Sequence, residues 1–269
     1  RISKKKLAKK IFIYEKSELN ISKIKKLKLS GTIVKSLKEG VTNSDLIIFC
    51  TPMSEYKDII LEINNFISSK TLITDIGSSK VETSKIIKKF LKKGIHWIQS
   101  HPIAGSEVSG PEHGKENMFT DRWCIIIKEK NTKKNNIKIL TKFWKKIGSK
   151  VVVMNPEKHD KIFSITSHLP HLIAYNLVKS AQDFEKKQSY ELIKYSAGGL
   201  RDFSRIAASN EIMWRDIFFN NKNNISKAID LFIKNLKQFK KDINSKNNKS
   251  IVKKLIQTKK VRSKIIKLK

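Results

Sequence analysis

"DLIIFCTPMSEYKDIILEINNFISSKTLITDIGSSKVETSKIIKKFL", residues 45–91, decides the fold. Two short runs, "LIIFC" and "TLITDI", are apolar along their whole length. Each is followed by turn residues and then by a stretch with apolar residues at helical spacing, "MSEYKDIILEINNFIS" and "VETSKIIKKFLKKG". A strand that is apolar throughout, instead of at every second residue, is buried on both faces. That happens when helices cover both sides of a mostly parallel sheet. Outward from this stretch the alternation continues between residues 10 and 154, with "KIFIYEK", "HWIQS", "RWCIIIK" and "KVVVMN" as further strands. Beyond Asn155 the strands stop. Apolar residues then recur at helical spacing, as at Ile225, Ile229, Phe232, Leu236, Phe239 and Ile243. The expectation is an α/β domain over 1–154 and an all-helical domain over 155–269, the latter ending from Lys246 in a very basic, weakly patterned tail. No internal repeat is visible.

The 269 residues can bury a sizeable core in one large domain or two ordinary ones. No apolar run approaches the ~20 residues that cross a bilayer, and "RISKKKLAKK" has neither the apolar core nor the cleavage site of a secretory signal. The two cysteines, Cys50 and Cys124, sit inside apolar runs and give no disulfide framework. These features suggest a cytoplasmic protein with no membrane role. The net charge of +33 comes from 51 Lys and only six Arg, spread evenly. Ile and Asn are abundant too, and all three share A/T-rich codons, so base composition accounts for the charge. The clustered Arg and stacking aromatics of a specific nucleic-acid reader are missing.

That bias makes its exceptions informative. Residues 195–221 hold no lysine, yet they contain Arg201, Arg205 and Arg215. Arginine offers carboxylates a planar, bidentate fork that lysine cannot imitate. Structural pairing of Arg201 or Arg215 with Asp202 or Asp216 is the competing explanation.

Several turns have readable mechanics. In "CTPM" Thr51 is placed to cap a helix with Pro52 at its first position. In "DIGSSKVE" Gly77 supplies a tight turn, and Ser79 and Glu82 have capping-box spacing. Both turns lie at the carboxyl edge of the sheet, where open α/β folds bind ligands, which nominates Thr51, Pro52, Asp75 and Gly77 as cofactor contacts. "KIFIY" runs into Glu15. An acid at the end of the second strand of a Rossmann-like fold bonds the adenosine ribose and disfavours a 2′-phosphate, so Glu15 favours NAD over NADP. No G-x-G-x-x-G precedes it, and the first residues read as a helix leading into "KIFIY". The chain thus reads as a fragment without the first strand and glycine-rich loop.

"DIGSSK", "HPIAGSEVSGPEHGKENMFTDRWCII", "HDKIFSITSHLPHLIAYNLV" and "YSAGGLRDFSRIAASNEIMWRDIFFNN" together resemble the prephenate dehydrogenase family, including its arogenate-using and cyclohexadienyl relatives. The resemblance implies an NAD-dependent oxidative decarboxylation in tyrosine biosynthesis, on prephenate or arogenate, by a homodimer. His101 matches the family's catalytic histidine, a neutral imidazole that accepts the substrate hydroxyl proton as hydride departs. Ser78 matches a serine bonded near that histidine and the substrate hydroxyl, and Gly105 lets the loop approach the ligand. Arg205 matches the arginine that binds a substrate carboxylate, and Asp202 resembles a residue shaping that pocket. Ser167, His168 and His171 in "TSHLPH" open a helix against the cleft, with His171 near the substrate side chain. Gly198 and Trp214 match positions that reach the site from the helical domain, partly across a dimer interface. A metal at His168 and His171 lacks an obvious third ligand, so none is expected. Two other readings stay open. One is a 3-hydroxyacid dehydrogenase-type enzyme, which would need a catalytic lysine on the helical domain. The other is a catalytically inactive basic binding protein.

Overall fold

The computed structural model describes residues 1–105, 107–188 and 191–267. Strands β1 (Phe12–Ile13) and β2 (Thr32–Ile33) pair in parallel around α1 (Glu18–Lys26). After the short α2 (Leu37–Val41) comes a parallel set, β3 (Leu46–Phe49), β4 (Leu72–Asp75) and β5 (His96–Trp97), hydrogen-bonded in that order. Their crossovers are α3 (Tyr56–Ile63) and α4 (Val81–Phe90). The last strands are β6 (Ser100–Pro102), β7 (Trp123–Ile127) and β8 (Lys150–Met154). β6 runs antiparallel to β7, and β7 is parallel to β8 across α5 (Lys134–Ile147). This is the Rossmann-like, mostly parallel arrangement that the continuous apolar runs imply.

After Met154 the regular elements among the described residues are all helical: α6 (Pro156–Phe163), α7 (Leu169–Gln188), α8 (Gly198–Ser204), α9 (Glu211–Asn220), α10 (Lys222–Asn244) and α11 (Asn248–Lys267), with short 3-10 and π turns between some of them. Arg1–Lys222 make one compact unit, and the residues from Asn223 on make a second. The first unit extends past the last strand because α9 joins its core. Trp214 and Ile217 pack with Phe49, Met53, Tyr56, Ile60, Ile63 and Ile73. Each such fully buried side chain contributes roughly 1.5–3 kcal/mol. A second cluster seats Leu140, Trp144 and Ile147 of α5 on Leu72, Ile98, Cys124 and Ile126.

Local readings fail in five places. Residues 2–6 form turns, not a helix, and Lys6 at φ 49° takes the chain out of helical geometry. β1 ends at Ile13, two residues short of Glu15. Thr51 does not cap a helix: Pro52 is extended and precedes a 3-10 turn, Met53–Glu55, with no cap from its own loop. Ser79 and Glu82 form no capping box, because the buried Ser79 hydroxyl donates to Met53 Sδ and Glu82 pairs with Lys85. The stretch expected to be a weakly patterned tail is helix α11. Asp242 of α10 ties that helix down by accepting from Ser250 and Lys254.

Candidate active site

β6 carries His101 into the interior, where the residue is 9% exposed. Its Nδ1 lies 2.8 Å from Nε2 of His159, whose own Nδ1 lies 2.8 Å from Oδ1 of Asp160. His159 and Asp160 come from α6 and are fully buried. The Asp160 carboxylate also receives the backbone N–H groups of Lys80 and Val81, each at 2.9 Å. It therefore caps α4, the role that Ser79 was expected to fill. Phe163 closes the cluster, with its ring 4.9 Å from His101 and 4.5 Å from His159. Burial holds His101 well below the usual imidazole range, and the nearby charges of His159, Lys80 and His168 act in the same direction. Burial, then Lys80 and His168, brings His159 down to about 2. Burial lowers His168 to about 4, against the pull of Asp160. Burial raises Asp160 despite its two backbone N–H bonds. All three imidazoles are therefore neutral near neutral pH.

Beneath the histidines lies a second polar knot. The Lys80 ammonium has no exposed surface and donates to Asp75 Oδ2 and to the Ser100 carbonyl, both at 2.7 Å. Asp75 also accepts from Gly77 N–H, Tyr56 Oη and Trp97 Nε1. Ser100 Oγ donates back to the Asp75 carbonyl at 2.7 Å. The strand end bearing His101 is thus tied to the end of β4. Asp75, expected to touch a cofactor, has no accessible surface. It is the counter-ion of Lys80 and supports the turn from behind. Gly77 needs space rather than a positive φ, since a Cβ there would meet Met53 and Asp75 at 3.0–3.1 Å. Ser78 is half-buried beside this turn.

On the helical side, α6 and α7 are joined by a π turn, Ser164–His168, in which the Leu169 N–H bonds the Ser164 carbonyl. Pro170 follows immediately. It lacks an N–H and its ring would clash with the carbonyl four residues earlier, so one extra residue in the turn relieves the conflict. The turn presents Ser167 half-buried and His168 fully buried. His168 Nδ1 accepts from Asn221 Nδ2 at 3.1 Å. His171 donates through Nδ1 to the Ser167 carbonyl and stacks on Trp214 with centroids 3.8 Å apart. Trp214 is a core residue, 5% exposed, and its buried Nε1 has no hydrogen-bond partner among the described residues.

Arg205 stands exposed and pairs through Nη1 with Glu107, which brings the loop after β6 to the residues after α8. In that loop Gly105 takes φ 141°, open to glycine and not to other L residues. Ser106, within the quoted loop motif, lies outside the described residues. Asp202 and Gly198 are exposed on α8. Arg215 is structural, since it pairs with Asp216 and donates to Ser54 Oγ. Asp216 in turn accepts the Ser54 N–H at 2.8 Å, so it supplies the cap that Thr51 does not. Sequence reasoning missed Lys80, His159, Asp160 and Asp216 as site-builders.

The carboxyl edges of β1 and β3 adjoin, because Lys16 Nζ lies 2.8 Å from Glu55 Oε2. Thr51 and Pro52 are exposed there. Glu15 is half-buried and accepts the Ser17 N–H through one carboxylate oxygen, which leaves its other oxygen for a ribose hydroxyl. This edge suits the adenosine half of a dinucleotide. The starts of α3 and α4 are already served by Asp216 and Asp160.

Two family models cover the chain: prephenate dehydrogenase, nucleotide-binding domain, over residues 1–153, and prephenate dehydrogenase, dimerization domain, over residues 155–257. Cyclohexadienyl dehydrogenase of Zymomonas mobilis is 31% identical over 252 residues, 94% of this chain and 86% of that protein. Prephenate dehydrogenase of Bacillus subtilis is 34% identical over 203 residues, 75% of this chain and 54% of that protein. The crystal structure of prephenate dehydrogenase from Aquifex aeolicus in complex with hydroxyphenyl propionate and NAD+ superposes with a TM-score of 0.90 at 32% identity, covering 98% of this chain and 92% of that one.

Proposed function

The chain belongs to the prephenate dehydrogenase family, and on that premise we propose that it oxidatively decarboxylates prephenate to 4-hydroxyphenylpyruvate, arogenate to tyrosine, or both, with NAD as oxidant. Residues 1–154 hold the dinucleotide, with Glu15 on the ribose and Thr51, Pro52 and Gly77 along the strand edge. Residues 155–269 supply the substrate side and the contact with a second copy, in a cytoplasmic homodimer. When bound, NAD accepts the hydride from the carbinol carbon of the substrate ring. As that hydride departs, the ring hydroxyl becomes a strong acid and His101 takes its proton. Loss of carbon dioxide from the ring carboxylate then makes the ring aromatic. Arg205 holds a substrate carboxylate in exchange for Glu107. Ser78 bonds near the ring hydroxyl, while Ser167, His171, Asp202, Gly198 and Trp214 line the side-chain end.

The observation that carries this reading is the buried His101 on β6, which burial disposes to the neutral form, with Nδ1 bonded to His159 and Nε2 without a partner among the described residues. The test is NADH formation by the purified protein offered prephenate and arogenate separately with NAD. Turnover of one names the substrate. Absence of turnover with both, in folded protein that binds NAD, would overturn the reading.

A further inference from the structure

The donors and acceptors around His101 can be counted, and the count fixes a tautomer. Asp160 accepts two backbone N–H groups, Lys80 on Oδ1 and Val81 on Oδ2, and its Oδ1 lies 2.8 Å from His159 Nδ1. The two backbone N–H bonds and the nearby Lys80 ammonium favour the carboxylate form of Asp160, which can only accept. His159 must then carry its proton on Nδ1. As a neutral imidazole it presents a bare lone pair at Nε2. That lone pair faces His101 Nδ1 at 2.8 Å, so His101 must donate there. The remaining nitrogen, His101 Nε2, is then a lone pair. It has no hydrogen-bond partner among the described residues, and unlike His168 Nε2 it is not a sealed buried atom. We infer that His159 and Asp160 are positioning residues that lock His101 in the Nδ1–H tautomer and so hold its Nε2 ready to accept a proton.

This inference rests on the proposed role of His101, but the relay can be tested apart from it. The charged and titratable groups facing the chain are Lys80 and Asp75 below it, Cys124 on β7, and His168 on the π turn. None offers His101 Nδ1 another acceptor. In the opposite tautomer Nδ1 and His159 Nε2 would be two lone pairs facing each other at 2.8 Å. That arrangement is repulsive and leaves a buried acceptor unmet.

The first experiment reads the tautomer without turnover, by long-range ¹H–¹⁵N NMR of the protein with ¹⁵N-labelled histidine, with His101 assigned by its loss in His101→Asn. The expected result is His101 protonated at Nδ1 and bare at Nε2. A proton on Nε2 would overturn the inference even if the protein is an active prephenate dehydrogenase. The second uses His159→Phe, which keeps an aromatic ring against Phe163 and removes the acceptor. Here kcat is expected to fall at least about 10-fold, with the KM values for substrate and NAD changing less than about 3-fold, because a freed imidazole spends time in the wrong tautomer. His101 Nε2 should also gain proton occupancy. Wild-type kcat together with an unchanged tautomer would overturn the inference. The wild-type spectrum stands as a test even if His159→Phe does not fold.

Discussion

Around His101 the polar groups are buried and bonded to one another, whereas around Arg205 they stand in solvent. Lys80, Asp75, His159 and Asp160 have no accessible surface. The Arg205 side chain is 61% exposed, and Asp202 and Gly198 nearby are exposed as well. The buried part is over-determined: moving one group would break bonds to two or three others in a medium where each unmet group costs about 1–3 kcal/mol. Among the described residues the Arg205 guanidinium is held by one surface ion pair, with Glu107, worth about 0–1 kcal/mol. Chemistry at the ring needs atoms fixed before substrate arrives. Recognition of a carboxylate needs a cation that can give up one partner for another.

The contrast predicts opposite mutational signatures. The largest effect belongs to His101→Asn, which should cut kcat by roughly 10²–10⁴ and leave the KM for NAD near its wild-type value. Steady-state kinetics on protein with wild-type circular dichroism checks this, and near-normal turnover would break the assignment of the buried half. Lys80→Met should act on stability. Removing the ammonium strands the Asp75 carboxylate in the core, at a cost of about 3–5 kcal/mol in urea unfolding. If the double variant Lys80→Met with Asp75→Asn recovers much of that loss, the cost is an unpaired charge. If it recovers none, the knot acts through packing instead.

This contrast also marks what was legible in the sequence. His101, Arg205 and Trp214 sit in local motifs, and an arginine among lysines or a proline after a histidine can be seen without knowing the fold. The strands of residues 45–91 were legible for the same reason, since a continuous apolar run is a local signal. Lys80, His159 and Asp160 were not. His159 meets His101 from 58 residues away and Asp160 takes the Lys80 N–H from 80 away, while the Lys80 side chain is hidden because lysine is the commonest background residue in this chain. The two helix starts were misread for a related cause. Thr51 and Ser79 are good caps by type, but Asp216 and Asp160 arrive from distant helices with stronger acceptors and take the N–H groups. The one signal available was "HD" at residues 159–160, two polar groups in the first turns of an amphipathic helix directly after a strand.

For the exposed half, Arg205→Lys should leave the unfolding midpoint within the ±0.5 kcal/mol of an ordinary surface change. The KM for substrate should rise about 10-fold, since an ammonium replaces a bidentate fork. The KM for NAD should not move. Equal changes in both KM values would argue that Arg205 shapes the whole cleft instead of holding a carboxylate.

Asp216 is intermediate between the halves, and its variant gives the smallest effect. Its residue is 5% exposed, yet its partner Arg215 reaches solvent. Burial works to raise its carboxyl, but the bonds from Arg215 and Ser54 outweigh burial and hold it below the ordinary aspartate value. A group depressed on folding adds stability that is fully present above its unfolded value of about 3.9 and is lost as pH falls through the lower folded value. Asp216→Asn keeps an oxygen for the Ser54 N–H but loses the charge that pairs with Arg215, so it should cost up to about 1 kcal/mol at neutral pH. The gap from wild type should stay constant down to about pH 5 and close below about pH 4. Urea unfolding of both proteins across that range reads the gap directly. A gap that persists undiminished at low pH would mean the loss comes from packing of the amide against Ser54, not from the carboxylate's charge, and would move Asp216 out of the bonded half of the site.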